Sequence, residues 1–424
     1  MGERVFGIDE SRIWSDLMAL AEITDPARPY TRRSFTPLFQ AGRDWLRRRF
    51  AEAGLAVRLD TAANLFGRLE GSEPGLPTIM LGSHSDSVPS GGRFDGPAGV
   101  IAALEVVRAL QDDGRRLRHP VEVVDCLAEE PSDYGLSCVG SRAMAGLLSA
   151  EMLDLRNPAG ERLGDAIVRV GGDPARLAEA RRSDVAAFLE LHIEQGVVLE
   201  RSKTDIGIVT ALVGIIRLEI VFEGEAAHAG TMPMAMRRDA GVAAARLVGF
   251  VSQRARALAG AGRGYVVGTT GVIDIAPNAI NVVPQRARIV VDTRAEDAAL
   301  LDAFVAEIEA ESRRIAEETA TVRERCTVLS RATPASCDPD LRRLLAEGAA
   351  ACGLSSLALP SGAGHDAAFL SRIAPAAMVF VPCRDGRSHA PEEWAEPAAI
   401  AAGAVALLEA VERFDAKSPD RAAA

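Results

Sequence analysis

A chain of 424 residues is longer than one ordinary hydrophobic core and predicts two or three domains. Its 48% hydrophobic and 25% charged residues are those of a soluble globular protein, and a net charge of −11 without a basic cluster argues against nucleic acid as a partner. No run approaches the roughly 20 uninterrupted apolar residues of a membrane span, so no membrane association is expected.

Helical and strand patterns alternate along the first part of the chain. Thr36-Pro37 opens a helix through about residue 53, with proline at its favoured first position and Gly54 closing it. Short strands are expected near 56–58 and 65–69. TIMLGS (78–83) is a buried strand, 97–110 a helix, and VEVVDCL (121–127) and AAFLEL (186–191) are further buried strands. This alternation predicts an α/β domain with a mostly parallel sheet and helices on both faces.

The pattern changes near Ile206. IRLEIVFEG alternates as a half-exposed strand, 239–258 reads as a long helix, YVVGTTGVIDI and ARIVVDTR as strands, 295–318 as a helix and VRERCTVL as a last strand. The order β-α-β-β-α-β predicts a compact two-layer α+β unit. After Pro334 the α/β signature returns, with a helix over 338–351, the glycine loop SGAGHDAAF, the strand AAMVFVP and a closing helix. The expected organisation is an α/β catalytic domain formed by 1–208 and 331–424, interrupted by an inserted α+β domain at 209–330.

The segment MGERVFGIDESRIW lacks the apolar core of a signal peptide, and position 6, where a myristoylation signal wants serine or threonine, is Phe6. Six cysteines (126, 138, 326, 337, 352 and 383) show no CxxC spacing. Free thiols in a reducing cytoplasm are expected, rather than a disulfide framework or a thiolate zinc site.

Five of the six histidines lie in short motifs rich in Gly, Ser and carboxylates: GSHSDSVPSGGRFDG (His84, Asp86, Asp95), ELHIEQG (His192), EAAHAG (His228), GAGHDA (His365) and DGRSHAPEE (His389). VEVVDCLAEEP adds the pair Glu129 and Glu130. Open α/β sheets bind ligands at the carboxyl ends of their strands, and several of these motifs directly follow a strand-like run. Histidines and carboxylates gathered there are the material of a metal site. Asp86 can orient His84 as a supporting carboxylate. Asp95 precedes Gly96-Pro97 at a helix start, where the helix dipole favours an anion. Pro131 keeps Glu130 out of α conformation, so the pair stays in an extended turn. Two histidines on one ion, a Glu and a His on a second, and one shared carboxylate would make a dinuclear centre with ions roughly 3.5–4 Å apart. Glu130 then reads as a ligand and Glu129 as a general base. Each piece alone has a bland alternative in a structural histidine or a solvated acidic pair; the ordered set His-x-Asp, Asp-Gly, Glu-Glu, His, His is far more specific.

The chain resembles the aminoacylase and glutamate-carboxypeptidase-like dinuclear metallohydrolases. More narrowly, it is similar to the branch of N-carbamoyl-L-amino acid hydrolases, allantoate amidohydrolases and β-ureidopropionases. The motifs that carry the resemblance are HSDSVPSGGRFDGPAGV, HIEQG, HAGTMPMAMRRDA, NAINVVP, DTR, SGAGHDA and FVPCRDGRSHAPEE, and they run nearly end to end. The resemblance implies that His84, Asp95 and His192 bind one ion, that Asp95, Glu130 and His389 bind the other with Asp95 bridging, and that Glu129 is the base. It places Gln195, His228, Asn281, Arg294 and the backbone of Gly362 and Ala363 at substrate-binding positions, and a homodimer through the inserted domain. A guanidinium such as that of Arg294 suits a substrate carboxylate, Asn281 offers an amide donor beside it, and His228 can donate to an oxyanion. Read from residue chemistry alone, Arg294 in a surface ion pair and His228 bonded within its own domain remain open. His365 reads as a loop-fixing residue.

The implied activity is metal-dependent hydrolysis of a linear C–N bond in an N-carbamoyl or ureido acid bearing a carboxylate. The alternatives are an N-acyl-amino-acid hydrolase or dipeptidase, and a metal-binding protein without catalysis. The N/O ligand set suits Zn²⁺ or Mn²⁺, with Co²⁺ or Ni²⁺ also compatible, two per chain. Departures from the branch pattern lie after the glutamate pair (PSDYGLSCVGSR), at Met232 in HAGTMPM, and at Arg384 and Arg387 beside His389. Those two arginines can read a second anionic group or pair with Asp385.

Overall fold

A computed structural model describes residues 4–417. In chain order, the elements that frame the site begin with α1 (Glu10–Ala21), α2 (Pro37–Glu52), β1 (Ala56–Leu59), β2 (Leu65–Leu69) and β3 (Thr78–His84). These are followed by α3 (Pro97–Asp112), β4 (Val121–Cys126), β5 (Val185–Ile193) and β6 (Ile206–Leu212). Next come β7 (Gly214–Glu223), α4 (Ala240–Gly260), β8 (Val266–Ala276), β9 (Arg286–Ala295), α5 (Ala298–Glu318) and β10 (Val322–Ala332). The chain closes with β11 (Ala335–Ser336), α6 (Pro339–Ala351), β12 (Ser356–Ser361), β13 (Ala376–Val381) and α7 (Pro397–Lys417).

Two compact units result. One takes the described residues up to Thr210, together with Cys337–Leu359 and those from His365 onward; the other takes Ala211–Ser336 and Pro360–Gly364. A nine-stranded sheet runs in the order β11-β6-β13-β5-β3-β4-β2-β1, with β12 paired to β6. Its centre, β13-β5-β3-β4, is parallel, while β2 and β1 on one side and β6 on the other pair antiparallel. Central parallel strands are covered on both faces, so β3, β4 and β13 are buried at every position.

Local chemistry explains the helix starts. The Thr36 side chain accepts from Phe39 N at 3.2 Å with Pro37 at the first helical position. Asp239 and Asp297 cap α4 and α5 in the same way.

The second unit has the order β7-α4-β8-β9-α5-β10 and a four-stranded sheet, β8-β9-β7-β10, paired antiparallel throughout. Strand β9 alternates strictly, so Ala287, Ile289, Val291 and Ala295 join Leu247 and Val251 of α4 and Phe304 and Ile308 of α5 in one core. The described cysteines are unpaired thiols. Among the described residues no helix is long and apolar enough to cross a membrane.

Candidate metal centre

Strand β3 delivers His84 as its last residue, and β5 carries His192 within the strand rather than after it, extending two residues beyond the apolar run read from sequence. Both imidazoles are buried. Their Nδ1 atoms face backbone carbonyls, of Asp86 at 3.1 Å and of Ile193 at 3.0 Å. Their Nε2 atoms are buried without a hydrogen-bond partner. A buried ring nitrogen left unpaired is costly unless a ligand takes it.

That ligand position is shared with Asp95. Its Oδ1 lies 3.6 Å from His84 Nε2 and 3.4 Å from His192 Nε2. Its Oδ2 faces the other way, 3.4 Å from His389 Nε2, which is in turn 3.2 Å from Glu130 Oε1. The structure thus brings His84, Asp95 and His192 into one group and Asp95, Glu130 and His389 into a second, with the donor atoms of each within 4.8 Å of one another. The approach of α3 depends on Gly96. Its φ is +81°, and a Cβ there would meet the His84 ring at 2.3 Å. His389 lies beyond the single helical turn Arg384–Gly386 and is half exposed.

The donor set fits divalent cations of the borderline class, with nitrogen and oxygen donors and no thiolate. The charge balance points the same way. Burial alone would lower His84, but Glu129, Asp86 and Asp95 together hold its pKa well above the ordinary imidazole value. Hydrogen bonds to Asp95 and Glu130 raise His389 to about 10. Burial opposes ionisation of Asp95, yet the facing His192, His389 and His84 hold it well below the usual carboxylate range. The carboxylates call for positive charge at the nitrogens that face them.

Glu129 is buried, with Oε2 at 3.6 Å from His84 Nε2. Burial raises its pKa well above the usual carboxylate range, with Glu130 and Asp366 adding to the effect and His84 opposing it. The Glu129–Glu130 turn is held by backbone contacts. Asp86 Oδ1 accepts from Glu129 N and Oδ2 from Glu130 N, each at 3.2 Å, and Ser34 Oγ donates to Oδ2 at 2.6 Å. The carboxylate of Asp86 is 3.4 Å from His84 Nδ1, farther than its own backbone carbonyl. Asp86 therefore fixes the glutamate pair more directly than it orients His84, because the loop folds its two amide N–H groups onto that carboxylate. Asn64 and Cys138 complete the hold. Asn64 Oδ1 accepts from Leu127 N at 2.9 Å, and Cys138 N donates to Glu129 O at 2.9 Å.

The remaining sequence-predicted residues fall into separate places. Gln195 Nε2 donates to Asp95 Oδ2 at 2.6 Å, within the metal group. His365 is buried with its ring centroid 4.5 Å from that of His192, edge to face. In the four-stranded unit, His228 and Val282 form a β-bridge, and Ala229 N donates to Asn281 O at 2.9 Å, so His228 and Asn281 lie on paired, exposed loops. Arg294 binds Asp292 through Nε at 2.8 Å and Nη2 at 3.3 Å, and donates from Nη1 to Gly362 O at 2.7 Å. Ala363 N donates to Ser361 Oγ at 3.2 Å. Arg384 pairs with Glu396 and lies over the Trp394 ring, while Arg387 is 3.9 Å from Asp385.

Sequence reasoning passed over Glu393, Ser388 and Ser34. All three touch the carboxylates Asp95 or Asp86 directly or through one backbone amide. The one available signal for two of them was their place in RSHAPEE beside His389.

Residues 80–413 match the peptidase family M20/M25/M40. The N-carbamoyl-L-amino acid amidohydrolase of Geobacillus stearothermophilus is 39% identical over 407 residues, covering 95% of this chain and 98% of that protein. The ureidoglycolate hydrolase of Arabidopsis thaliana is 34% identical over 409 residues, covering 94% and 85%. A crystal structure of an amidase of the hydantoinase/carbamoylase family from Burkholderia multivorans superposes with a TM-score of 0.90 at 37% identity, covering 97% of this chain and 98% of that one.

Proposed function

The chain belongs to the peptidase family M20/M25/M40, and from that premise we propose that it is a two-cation amidohydrolase acting on the C–N bond of an N-carbamoyl or ureido acid with a free carboxylate. The observation that carries this reading is the Asp95 carboxylate, whose two oxygens face two separate nitrogen and oxygen donor groups beside the buried Glu129. Relatives at 39% and 34% identity act, by their names, on N-carbamoyl-L-amino acids and ureidoglycolate.

His84, Asp95 and His192 would hold one cation and Asp95, Glu130 and His389 the other, as Zn²⁺ or Mn²⁺, with Co²⁺ or Ni²⁺ compatible. When bound, the pair supplies Lewis acidity that polarises the carbonyl and acidifies water. Glu129 takes a proton from the attacking water on a carboxylate oxygen and delivers it to the leaving nitrogen. Asp86 keeps Glu129 and Glu130 in register by binding both backbone amides. His228 is the candidate donor to the developing oxyanion. Arg294, with Asn281, Gln195 and the backbone of Gly362 and Ala363, binds the substrate's polar groups. Asp292 and Gly362 hold the Arg294 guanidinium in one orientation, which is what a selective carboxylate reader requires. A homodimer through the four-stranded unit is supported by its exposed apolar side chains, Ile280, Ile273, Met234 and Met236.

The test is a substrate panel of N-carbamoyl-L-amino acids, allantoate, ureidoglycolate, β-ureidopropionate, N-acyl amino acids and dipeptides, run on cation-loaded protein. Ammonia release from a ureido acid supports the reading. Cleavage of N-acyl amino acids or dipeptides alone would reassign the substrate class.

A further inference from the structure

Glu393 is fully buried and follows His389 in the same loop. Its Oε1 accepts from Phe94 N at 2.7 Å and from Asp95 N at 3.1 Å, across a sequence separation of 299 residues for the first contact. Its Oε2 lies 2.8 Å from Ser388 Oγ, which is itself 2.5 Å from Asp95 Oδ2. One carboxylate thus ties the backbone of the Asp95 loop to the residue preceding His389. The loop that carries Glu393 is anchored on both sides: Arg384 N donates to Trp394 O at 2.7 Å, and the Trp394 ring packs edge-on against Trp14 and Phe94 at 5.2 and 5.8 Å.

The opposing loop makes room for it. A Cβ on Gly92 would lie 1.9 Å from Glu393 Oε1 and Cδ, so the carboxylate occupies the space that any side chain at position 92 would take. Burying a carboxylate costs free energy unless hydrogen bonds offset it. Here the offset comes from the two N–H groups that place Asp95.

We propose that Glu393 is a positioning residue that sets Asp95 against His389, so that binding at the Asp95–Glu130–His389 group, both of whose loop-borne members it ties, depends on it more strongly than binding at the His84–Asp95–His192 group, which shares Asp95 alone. The inference rests on the two-cation reading above. His84 and His192 are held by their own strands and carbonyl contacts, whereas His389 and Asp95 sit on loops that are joined by Glu393 together with Ser388 and Gln195, and of these Glu393 alone binds the backbone of the Asp95 loop. Removing the strut lets the loops separate without disturbing β3 or β5.

The experiment is titration of the full-length, metal-stripped chain with Zn²⁺, reading stoichiometry and two binding constants by calorimetry and bound metal by mass spectrometry. Wild type is expected to take two ions. Glu393→Ala is expected to keep one ion with its constant weakened by less than about threefold and to weaken the other about 10–100-fold, the usual consequence of losing a contact behind a ligand. Glu393→Gln keeps the Oε1 acceptor and should stay within about threefold of wild type, whereas Glu393→Met, which fills the space without that acceptor, should be as impaired as alanine, a difference that a mere packing role would not produce. Gly92→Ala displaces the carboxylate from the other side and should reproduce Glu393→Ala, which covers the case in which that variant fails to fold. Two ions bound by Glu393→Ala with unchanged constants, equal weakening of both sites, or a glutamine variant as impaired as alanine would overturn the proposal alone. A wild type that never takes a second ion would overturn the two-cation reading and this inference with it.

Discussion

In the unit built on the nine-stranded sheet, His84, Asp95 and His192 are at most 5% exposed and tied to strands and buried amides, whereas in the four-stranded unit His228 and Asn281 lie exposed on paired loops. The contrast follows from what each group costs. Buried imidazoles and carboxylates must be matched by charge or hydrogen bonds, so their positions are over-determined by the surrounding fold. An exposed donor on a loop costs little to hold, and its position is free to suit a ligand. Arg294 lies between these cases, partly buried and oriented by Asp292 and Gly362. The lesson is that the part that would activate water is built into the sheet, and the part that would read the substrate is mounted on hairpins and loops.

That division can be broken at its strongest point first. Glu129→Gln is expected to lower kcat by about 10²–10⁴-fold, the range for loss of a general acid–base group, while bound metal stays at the wild-type level. Retained turnover would remove the base from Glu129. Asp86→Asn comes next. One of its oxygens becomes a donor facing a backbone N–H of Glu129 or Glu130, so activity and affinity for the cation on Glu130 should each fall by about 10–100-fold. Metal titration of that variant separates this role from one confined to His84. Arg294→Lys probes the other unit. A lysine cannot make the paired contact to Asp292 or fix a carboxylate through two bonds, so KM should rise about 10-fold, with bound metal unchanged. A fall in metal content instead would mean that the two units do not divide the work in this way. The smallest effect is expected from Arg384→Ala. Its guanidinium is exposed and committed to Glu396 and the Trp394 face, so KM for anionic substrates should change by less than about twofold. A larger rise would restore Arg384 as a reader of a second anionic group.

Much of the fold was legible because it is written locally. The buried runs of β3, β4 and β13 and the strict alternation of β9 are periodicities that neighbouring residues alone display. Helix starts at Pro37, Ala240 and Pro339 follow from the capping residues Thr36, Asp239 and Asp338. The histidines and carboxylates could be picked out by residue type and motif order, with the family resemblance adding their assignment to two groups. What local pattern misplaced is instructive. His192 was expected after its strand and lies within it, since the apolar pattern breaks at the histidine while the ladder to β13 continues to Ile193. Asp86 does lie 3.4 Å from His84 Nδ1, as its place two residues on suggests, but its carboxylate also takes amides 43 and 44 residues distant, which no local window displays.

The sequence by itself determined the alternation of strands and helices, the inserted β-α-β-β-α-β order, and a supply of nitrogen and oxygen donors without thiolate pairs. Only the tertiary structure decided that the two oxygens of Asp95 face different histidine groups, that Arg294 is braced by Asp292, and that Glu393 links two loops nearly three hundred residues apart. The physical reason is range. Periodicity and capping act over a few residues and are visible in any short window, whereas a 3 Å contact between distant loops exists only once the sheet has brought its strand ends together.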